Sequence, residues 1–256
     1  MSSELAGVPR LDLEEVARKA ELDERHWWYR GRRAVLRAAL TQLAVRPGCP
    51  VLEVGCGTGS NLALLAEVGP ARGVELNPGG LAWARRAGHT VDEAAAEALP
   101  FGDGEFGLLA CLDVLEHVSD DQAALAEMRR VTAPAGTLLL TVPAYPRLFS
   151  EHDEAAGHRR RYGRAQLLEL AGRAGWEPAL MTNFNLLLLP VAAAVRLARR
   201  FASLRGRQGT PRSDLLRTPP ALDGALQWPM RGEAAAIRAG IRLPAGLSLL
   251  VGLRAE

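Results

Sequence analysis

The sequence is poor in lysine, cysteine and aromatic residues. Lys19 is the sole lysine among 31 basic residues, and we interpret the excess of arginine as a compositional bias. The three cysteines lack both the spacing of a metal site and the even number of a disulfide framework. We therefore expect no bound metal and a reducing, cytoplasmic compartment. We also expect no nucleic-acid partner, because the formal net charge is only +2 and no recognition motif accompanies the arginines.

Long apolar runs are also missing. The longest, Leu186–Val195, is interrupted by Pro190 and falls short of the ~20 residues that span a bilayer, so it predicts a packed or interfacial helix. The stretch 196–220 is basic, irregular and contains prolines. Residues 184–217 together suggest peripheral contact with an anionic membrane, although a solvated insertion explains the same pattern. Residues 1–10 have no signal-peptide pattern.

What is present is an alternation of short apolar strands with helices. In a chain of 256 residues that is 48% hydrophobic, this alternation predicts one α/β core with a doubly wound, mostly parallel sheet. The predicted elements are helix 11–43, strand 51–54, helix 60–68, strand 72–76, helix 79–87, a strand near 89–91, strand 106–112, helix 120–131, strand 136–142, helix 167–174 and strand 247–253.

This pattern divides the chain into a core and its appendages. The predicted parts are an N-terminal helical cap (1–48), the sheet-forming core (49–183), an apolar helix with a basic C-terminal insertion (184–245) and the final strand of the core sheet (246–256).

The most informative motif is a glycine-rich turn that follows the first strand. Gly55, Gly57 and Gly59 allow positive φ angles and close approach of a ligand to the backbone, and the helix that follows would present unpaired N–H groups. A dinucleotide fingerprint needs glycine at the sixth position, which is Ser60 here. The turn therefore predicts a polar or anionic ligand other than a dinucleotide.

A carboxylate follows at the end of the next strand. Glu75 lies about 20 residues beyond Gly55, where a doubly wound fold places the acid that binds ribose hydroxyls. Asn77 and Pro78 then predict the start of a helix. For an isolated Glu75 the alternative is a solvated acid at a strand end, but the glycine-rich turn favours the ribose ligand.

The spacing Glu53-x-Gly55-x-Gly57-x-Gly59, together with Glu75, resembles the class I S-adenosylmethionine-dependent methyltransferases. The resemblance covers residues 50–142 well and implies a Rossmann-like methyltransferase fold of seven strands, the last of them antiparallel. It also implies S-adenosyl-L-methionine as cofactor. The cofactor contacts that it implies are Glu53, Gly55, Cys56, Gly57, Thr58, Gly59, Asn61, Glu75, Leu76, Ala96, Glu97, Leu112, Asp113 and His117.

Two of these segments match the family to different degrees. The run 111–117 resembles the family's pattern at the methionine end of the cofactor, with Leu112 and Asp113 as contacts. Glu116 and His117 are equally explained as the start of a helix. The run 94–101 resembles the adenine-binding segment, but there Ala95 replaces the usual acid, and in the next strand Gly107 replaces an Asp that is common in relatives.

The loop 145–162 lies where many relatives hold their acceptor. It is rich in His and Arg, and a histidine is the usual base when the acceptor is a hydroxyl. We predict His152 as the base, oriented by Asp153, with His158 as the second candidate. The alternative is a solvated surface with internal ion pairs. Residues predicted to line the acceptor site from this loop are Tyr145, Arg160 and Tyr162.

Aromatic residues cluster before the first strand. Trp27, Trp28, Tyr29 and Arg30 are predicted to form a lid over cofactor and acceptor, where aromatic walls would exclude water and favour the sulfonium. Packing of this face into the core is the alternative.

The sequence thus predicts a methyltransferase that transfers a methyl group to oxygen or nitrogen of a small-molecule acceptor. A lipid-linked or membrane-associated acceptor is the alternative, with the protein then peripheral to the membrane. From a different class, a cofactor-binding regulatory protein without catalysis would fit the departures at Ala95 and Gly107.

Overall fold

The structure is a computed structural model that describes residues 26–190 and 220–256. Strands and helices alternate through this part of the chain. Their bounds are α1 Trp27–Leu43, β1 Val51–Val54, α2 Leu62–Leu65, β2 Ala71–Val74, α3 Pro78–Arg86, β3 Val91–Asp92, β4 Phe106–Leu112, α4 Asp121–Val131, β5 Thr132–Pro143, α5 Glu151–Ala155, α6 Arg164–Arg173, β6 Trp176–Phe184, α7 Pro220–Arg238 and β7 Ser248–Ala255.

The seven strands form one sheet in the order β3-β2-β1-β4-β5-β7-β6. β1 pairs in parallel with β2 and β4, and β4 pairs in parallel with β5. β7 is antiparallel to both β5 and β6. The predicted doubly wound, mostly parallel sheet with an antiparallel last strand is confirmed, and the carboxyl ends of β1, β2 and β4 lie side by side at one edge, where open parallel sheets bind ligands.

One face of the sheet packs against α4 and α6. Leu52 and Leu109 from the central strands contact a cluster that includes Met128 of α4 and Leu167 of α6, all of them fully buried. Alternate strand residues face the other side, so the same strands supply both halves of the core. This packing fixes the carboxyl-end edge of the sheet in place.

The opposite face is covered by α1 and α7. Val35 and Leu36 of α1 are fully buried with Leu108 of β4 and Ile237 of α7. α1 is therefore part of the core, so only its first turn remains to act as the predicted lid. α7 lies within the part predicted as an apolar helix with a basic insertion (184–245), and its Met230, Ala234 and Ile237 are buried in one cluster with residues of α1.

Two further elements differ from the predictions. The helix predicted over 60–68 is regular only over Leu62–Leu65, and turns complete the connection to β2. β6 forms where the sequence predicts no strand. It is an edge strand that pairs only with β7, and an edge tolerates Pro178 and solvent-facing side chains.

Close packing against Cys49 explains the glycine at position 107 on β4. A Cβ at this position would lie 2.6 Å from the Cβ of Cys49, closer than side chains can pack. The glycine that stands where relatives often carry aspartate thus accommodates Cys49, which is itself buried beside Val51.

No helix within 26–190 or 220–256 is long and apolar enough to cross a membrane. Residues 191–217 of the predicted membrane-contact region lie outside the described residues. Residues 11–25 of the predicted N-terminal helix also lie outside them. Both stay predictions.

Candidate functional site

The candidate site lies at the carboxyl-end edge of the sheet. Backbone strain concentrates there: Asp113, which directly follows β4, and Tyr145, two residues beyond β5, have φ angles of 57° and 61°. Non-glycine residues adopt positive φ rarely, and such residues cluster at ligand sites.

The glycine-rich turn after β1 is tightly tied to its neighbours. Gly55 and Cys56 both donate their N–H groups to the carbonyl oxygen of Val74, at 2.9 and 3.0 Å, and Gly57 donates to Glu75. The N–H groups of Gly55, Cys56 and Gly57 are therefore already paired, and the donors predicted at the start of the following helix stay a prediction. The space above Gly57 is open, because a Cβ there would meet no atom within 4 Å.

Glu75 braces this turn from the end of β2. Its Oε2 accepts from Gly57 N at 2.6 Å and its Oε1 accepts from Asn77 N at 2.7 Å. Asn77 in turn caps α3, as predicted, by accepting from the N–H groups of Gly79 and Gly80. A carboxylate has about four acceptor positions, so Glu75 retains capacity for the ribose hydroxyls of a ligand.

Glu53, Asn61, Cys56 and Thr58 form the buried base of the turn. The amide of Asn61 donates to Glu53 Oε1 at 2.9 Å, and both side chains are buried. Burial raises the pKa of the Cys56 thiol, with the charges of Glu53 and Glu75 adding to the effect, so Cys56 is a neutral packing residue. Both side chains are buried, and the predicted cofactor contacts of Cys56 and Glu53 stay predictions.

An ion pair that the sequence did not predict anchors the end of β4. Arg32 of α1 donates to Asp113 Oδ2 at 2.6 Å, and its guanidinium also reaches Thr141 Oγ1 at 3.2 Å. Thr141 Oγ1 lies 3.1 Å from Asp113 Oδ1, so the carboxylate is held from two sides. The Arg32 side chain is only 8% exposed and that of Asp113 30%, which leaves Asp113 open to a ligand.

The segment predicted to bind adenine is a turn beside β3. Ala95 and Ala98 form an isolated bridge, Ala96 is buried and Glu97 is half-buried. Leu76, just beyond Glu75, is also half-buried. These positions are compatible with the predicted contacts, which stay predictions.

The loop 145–162 contains a buried carboxylate with a histidine partner. Asp153 is fully buried, and His158 donates from Nδ1 to Asp153 Oδ1 at 3.1 Å. Arg161 holds the same oxygen at 2.6 Å. Burial alone would raise the pKa of Asp153, but the hydrogen bonds from His158 and Arg161 and the charge of Arg161 outweigh it and hold the pKa well below its usual range.

Asp153 orients His158, the second candidate for the base. His152 is half-buried on the first turn of α5, and its predicted role as the base stays a prediction. Asp153 has a further role in that helix, because it forms a capping box with Ser150.

Glu116 and His117 lie directly beside His158. Glu116 is fully buried, and burial followed by the charge of Asp113 raises its pKa well above the ordinary range. Its Oε1 is 4.0 Å from His158 Nε2. The rings of His117 and His158 pack edge to face with centroids 4.8 Å apart, so the three side chains form one polar cluster.

Two residues predicted to line the acceptor site also make structural contacts. Tyr162 is fully buried, and its hydroxyl lies 3.1 Å from the carbonyl of Leu115 and 3.0 Å from Asp121. Arg160 is engaged with Asp121 at 2.8 Å and with the backbone carbonyls of Val118 and Ser119, between β4 and α4. The predicted roles of Tyr162 and Arg160 at the acceptor site stay predictions.

The predicted aromatic lid divides between core and surface. Trp27 is buried, and its backbone N–H donates to the Asp223 carboxylate of α7. Trp28 and Tyr29 are half-buried and Arg30 is exposed. Trp28 lies under Arg32, 5.6 Å from its guanidinium carbon, so this ring is next to Asp113 at the site. The lid role of these residues stays a prediction, and Trp27 packs as the alternative expected.

Comparison with known proteins agrees with this geometry. Residues 52–140 match a family described as methyltransferase domain. A demethylmenaquinone methyltransferase of Tropheryma whipplei is 32% identical over 62% of this chain and 63% of its own length. A ubiquinone biosynthesis O-methyltransferase of Thiobacillus denitrificans is 30% identical over 50% of this chain and 62% of its own. The matches therefore span less than two thirds of these relatives.

Solved structures share the architecture at low sequence identity. A Thermotoga maritima protein, titled a SAM-dependent methyltransferase and possible histamine N-methyltransferase, superposes with a TM-score of 0.58 at 17% identity. The superposition covers 95% of this chain and 97% of that one. At this identity the likeness concerns the fold alone.

Proposed function

We propose that the protein is a class I S-adenosylmethionine-dependent methyltransferase that methylates oxygen or nitrogen of a small-molecule acceptor; the match of residues 52–140 to a family described as methyltransferase domain supports this. The observation that carries this proposal is the oriented pair of Asp153 and His158 beside the end of β4. It supplies a histidine for proton removal next to the place where Asp113 ends the cofactor cradle.

The residues of the cradle fit the cofactor. The turn at Gly57 leaves room where a ligand must approach the backbone, and Glu75 keeps acceptor capacity for hydroxyl groups. Asp113 offers an exposed carboxylate, braced by Arg32, to the ammonium group at the methionine end. When bound, S-adenosylmethionine supplies a methyl group on a sulfonium, which is transferred by in-line displacement as the C–S bond breaks.

The protein's own part in transfer is alignment and proton removal. The acceptor would lie between Asp113, the half-buried Tyr145 and the polar cluster of Glu116, His117 and His158. As the new bond to the methyl carbon forms, the acceptor oxygen or nitrogen loses its proton, and we place His158 in that step. Names of the relatives point to quinone-type acceptors as the first class to test.

The test is methyl transfer from labelled S-adenosylmethionine to hydroxylated quinones, phenols and amines. We expect transfer to at least one acceptor, with His158→Ala lowering kcat by about 100-fold or more, as general-base substitutions commonly do. His152→Ala serves as the control from the same loop and should stay within about threefold of wild type, well below that loss. Binding of S-adenosylmethionine without transfer to any acceptor would instead support the regulatory protein, and equal losses in both variants would remove His158 from the step.

Alanine substitutions in the glycine-rich turn separate fold from binding. Both Gly55 and Gly57 have positive φ, which costs alanine about 1–2 kcal/mol, but only at Gly55 would the new Cβ lie 2.5 Å from Val114. We expect Gly55→Ala to lose about 1–3 kcal/mol more stability from overpacking. Gly57→Ala should instead weaken cofactor binding, because its Cβ occupies the open space. Thermal denaturation and calorimetry check both; equal stability losses with unchanged affinity in Gly57→Ala would contradict the assignment.

A further inference from the structure

A cluster of potential metal ligands lies beside the cofactor cradle. We propose that Glu116, His117 and His158 form a binding site for a divalent first-row transition metal ion of the Zn²⁺ type. Each residue offers one ligand atom, and these atoms all lie within 4.8 Å of one another. No metal was expected from the sequence, because the three side chains come from two segments about 40 residues apart and show no ligand spacing.

The first argument is the state of Glu116. This side chain is completely buried, yet neither of its carboxylate oxygens accepts a hydrogen bond from any described residue. Buried carboxyl groups in proteins are normally hydrogen-bonded, paired with a charge or bound to a metal ion. A cation in the polar cluster would satisfy both oxygens of Glu116.

The second argument is the orientation of the histidines. His158 donates from Nδ1 to the buried Asp153, so its Nε2 carries the lone pair and lies on the side of Glu116, at 4.0 Å from Oε1. His117 donates from Nδ1 to the carbonyl oxygen of Gly157 at 3.0 Å. Histidine ligands of metal ions almost always make such a bond with their other nitrogen, because it fixes the tautomer and the ring plane.

Asp153, the partner of His158, is itself held in place by two neighbouring residues. Arg161 holds the same Asp153 oxygen at 2.6 Å, and Ser150 donates to the other. The carboxylate behind His158 is therefore fixed as an anion and cannot rotate away. This arrangement of carboxylate, histidine and ligand position is the one that raises the basicity of a metal-bound imidazole.

The donor set selects the class of ion. Two imidazoles and one carboxylate suit Zn²⁺ and its first-row neighbours, whereas Ca²⁺ and Mg²⁺ prefer oxygen ligands throughout. Ligands of a tetrahedral zinc ion lie about 3.4 Å apart, so the 4.0 Å between Glu116 and His158 needs a closure of about 0.6 Å. The other ligand atoms lie within 4.8 Å and need at most about 1.4 Å. His117 is exposed, which gives an ion a path from solvent and leaves coordination positions open.

An ion at this place would change how proton removal is achieved. His158 would then act as a ligand, and an acceptor hydroxyl coordinated at an open position would lose its proton to solvent at lower pH, as metal-bound water does. This consequence rests on the proposed function. The ion site itself rests on the cluster geometry, so metal binding measured without any acceptor tests it separately from methyl transfer.

The experiment is isothermal titration of Zn²⁺ into the full chain, prepared without a histidine tag and stripped with a chelator. We expect one equivalent to bind. Glu116→Gln, which keeps the shape of the side chain, and His158→Ala should each lower the affinity at least ~10-fold. His152→Ala, from the same loop, should bind Zn²⁺ as wild type does. Titration with Co²⁺ adds a visible absorption band that Glu116→Gln should shift or abolish.

Two results would overturn the site. One is the absence of Zn²⁺ binding by wild-type protein that is still folded. An unchanged far-ultraviolet circular dichroism spectrum after chelation shows that the protein is folded. The other is an affinity that Glu116→Gln and His158→Ala leave unchanged while His152→Ala lowers it, which would place the ion elsewhere. In the first case Glu116 is a buried neutral acid.

Discussion

Replacing Glu75 with alanine is expected to raise the dissociation constant of S-adenosylmethionine by at least ~100-fold. The substitution removes the acceptor of two charge-assisted backbone hydrogen bonds, at 2.6 Å from Gly57 and 2.7 Å from Asn77, and with them the predicted ribose ligand. The two backbone bonds hold the turn, and the affinity depends on the predicted bonds from the ribose hydroxyls to the carboxylate. Hydrogen bonds to charged groups contribute about 1.5–3 kcal/mol each, so two such bonds correspond to about two to four powers of ten in affinity.

Calorimetric titration with S-adenosylmethionine measures this effect. Glu75→Gln keeps one acceptor oxygen and should lose an intermediate amount, about tenfold. Glu169→Ala is a matched control, because Glu169 is an exposed glutamate on α6 with only a surface partner. Binding by Glu75→Ala within threefold of wild type would remove Glu75 from the cofactor site.

Replacing Arg32 with alanine should cost more stability than breaking an exposed ion pair of the described residues. The substitution leaves the Asp113 carboxylate and Thr141 without their buried partner. Breaking a buried ion pair commonly costs about 3–5 kcal/mol; because Asp113 is 30% exposed, we expect about 2–4 kcal/mol. Affinity for S-adenosylmethionine should fall too, because Arg32 orients Asp113 at the methionine end.

Arg37 provides the control on the same helix. It pairs with Glu67 on the surface, where both side chains are about half exposed, so Arg37→Ala should cost at most about 1 kcal/mol. Chemical denaturation gives both values, and the double variant Arg32→Ala/Asp113→Ala should lose less than the sum of the two single variants. Equal destabilisation by Arg32→Ala and Arg37→Ala would show that the buried pair does not hold α1 to the sheet.

The features that the sequence predicts well are local ones. The glycine-rich turn and Glu75 are recognised from spacing within about 25 residues, because strand, turn and strand-end acid follow one another in the chain. The same holds for the Asn77 cap. These features need no knowledge of how distant segments pack.

The features that the sequence misses depend on tertiary packing. β6 carries Pro178 and an exposed run at 177–179, so its strand character comes from pairing with β7 rather than from alternation. α7 contains Pro229, which disfavours a helix, and packing on α1 overrides that preference. The pair of Arg32 and Asp113 joins residues 81 positions apart, and no spacing rule indicates such a contact.

Contacts within the loop 145–162 also depend on the folded structure, although its residues are close in sequence. The loop 145–162 is correctly recognised as rich in candidate groups, but the sequence pairs Asp153 with its neighbour His152. The capping box with Ser150 turns Asp153 inward, and the chain reversal at Gly157 brings His158 to it. Local geometry, rather than adjacency in sequence, therefore selects the histidine.

A crystal structure of the protein with S-adenosylhomocysteine tests the cofactor site most directly. We expect the ribose hydroxyls on Glu75, the methionine ammonium near Asp113 and the sulfur facing the polar cluster of Glu116, His117 and His158. A ligand bound away from the turn at Gly55 and Gly57, or with its sulfur directed away from that cluster, would contradict it.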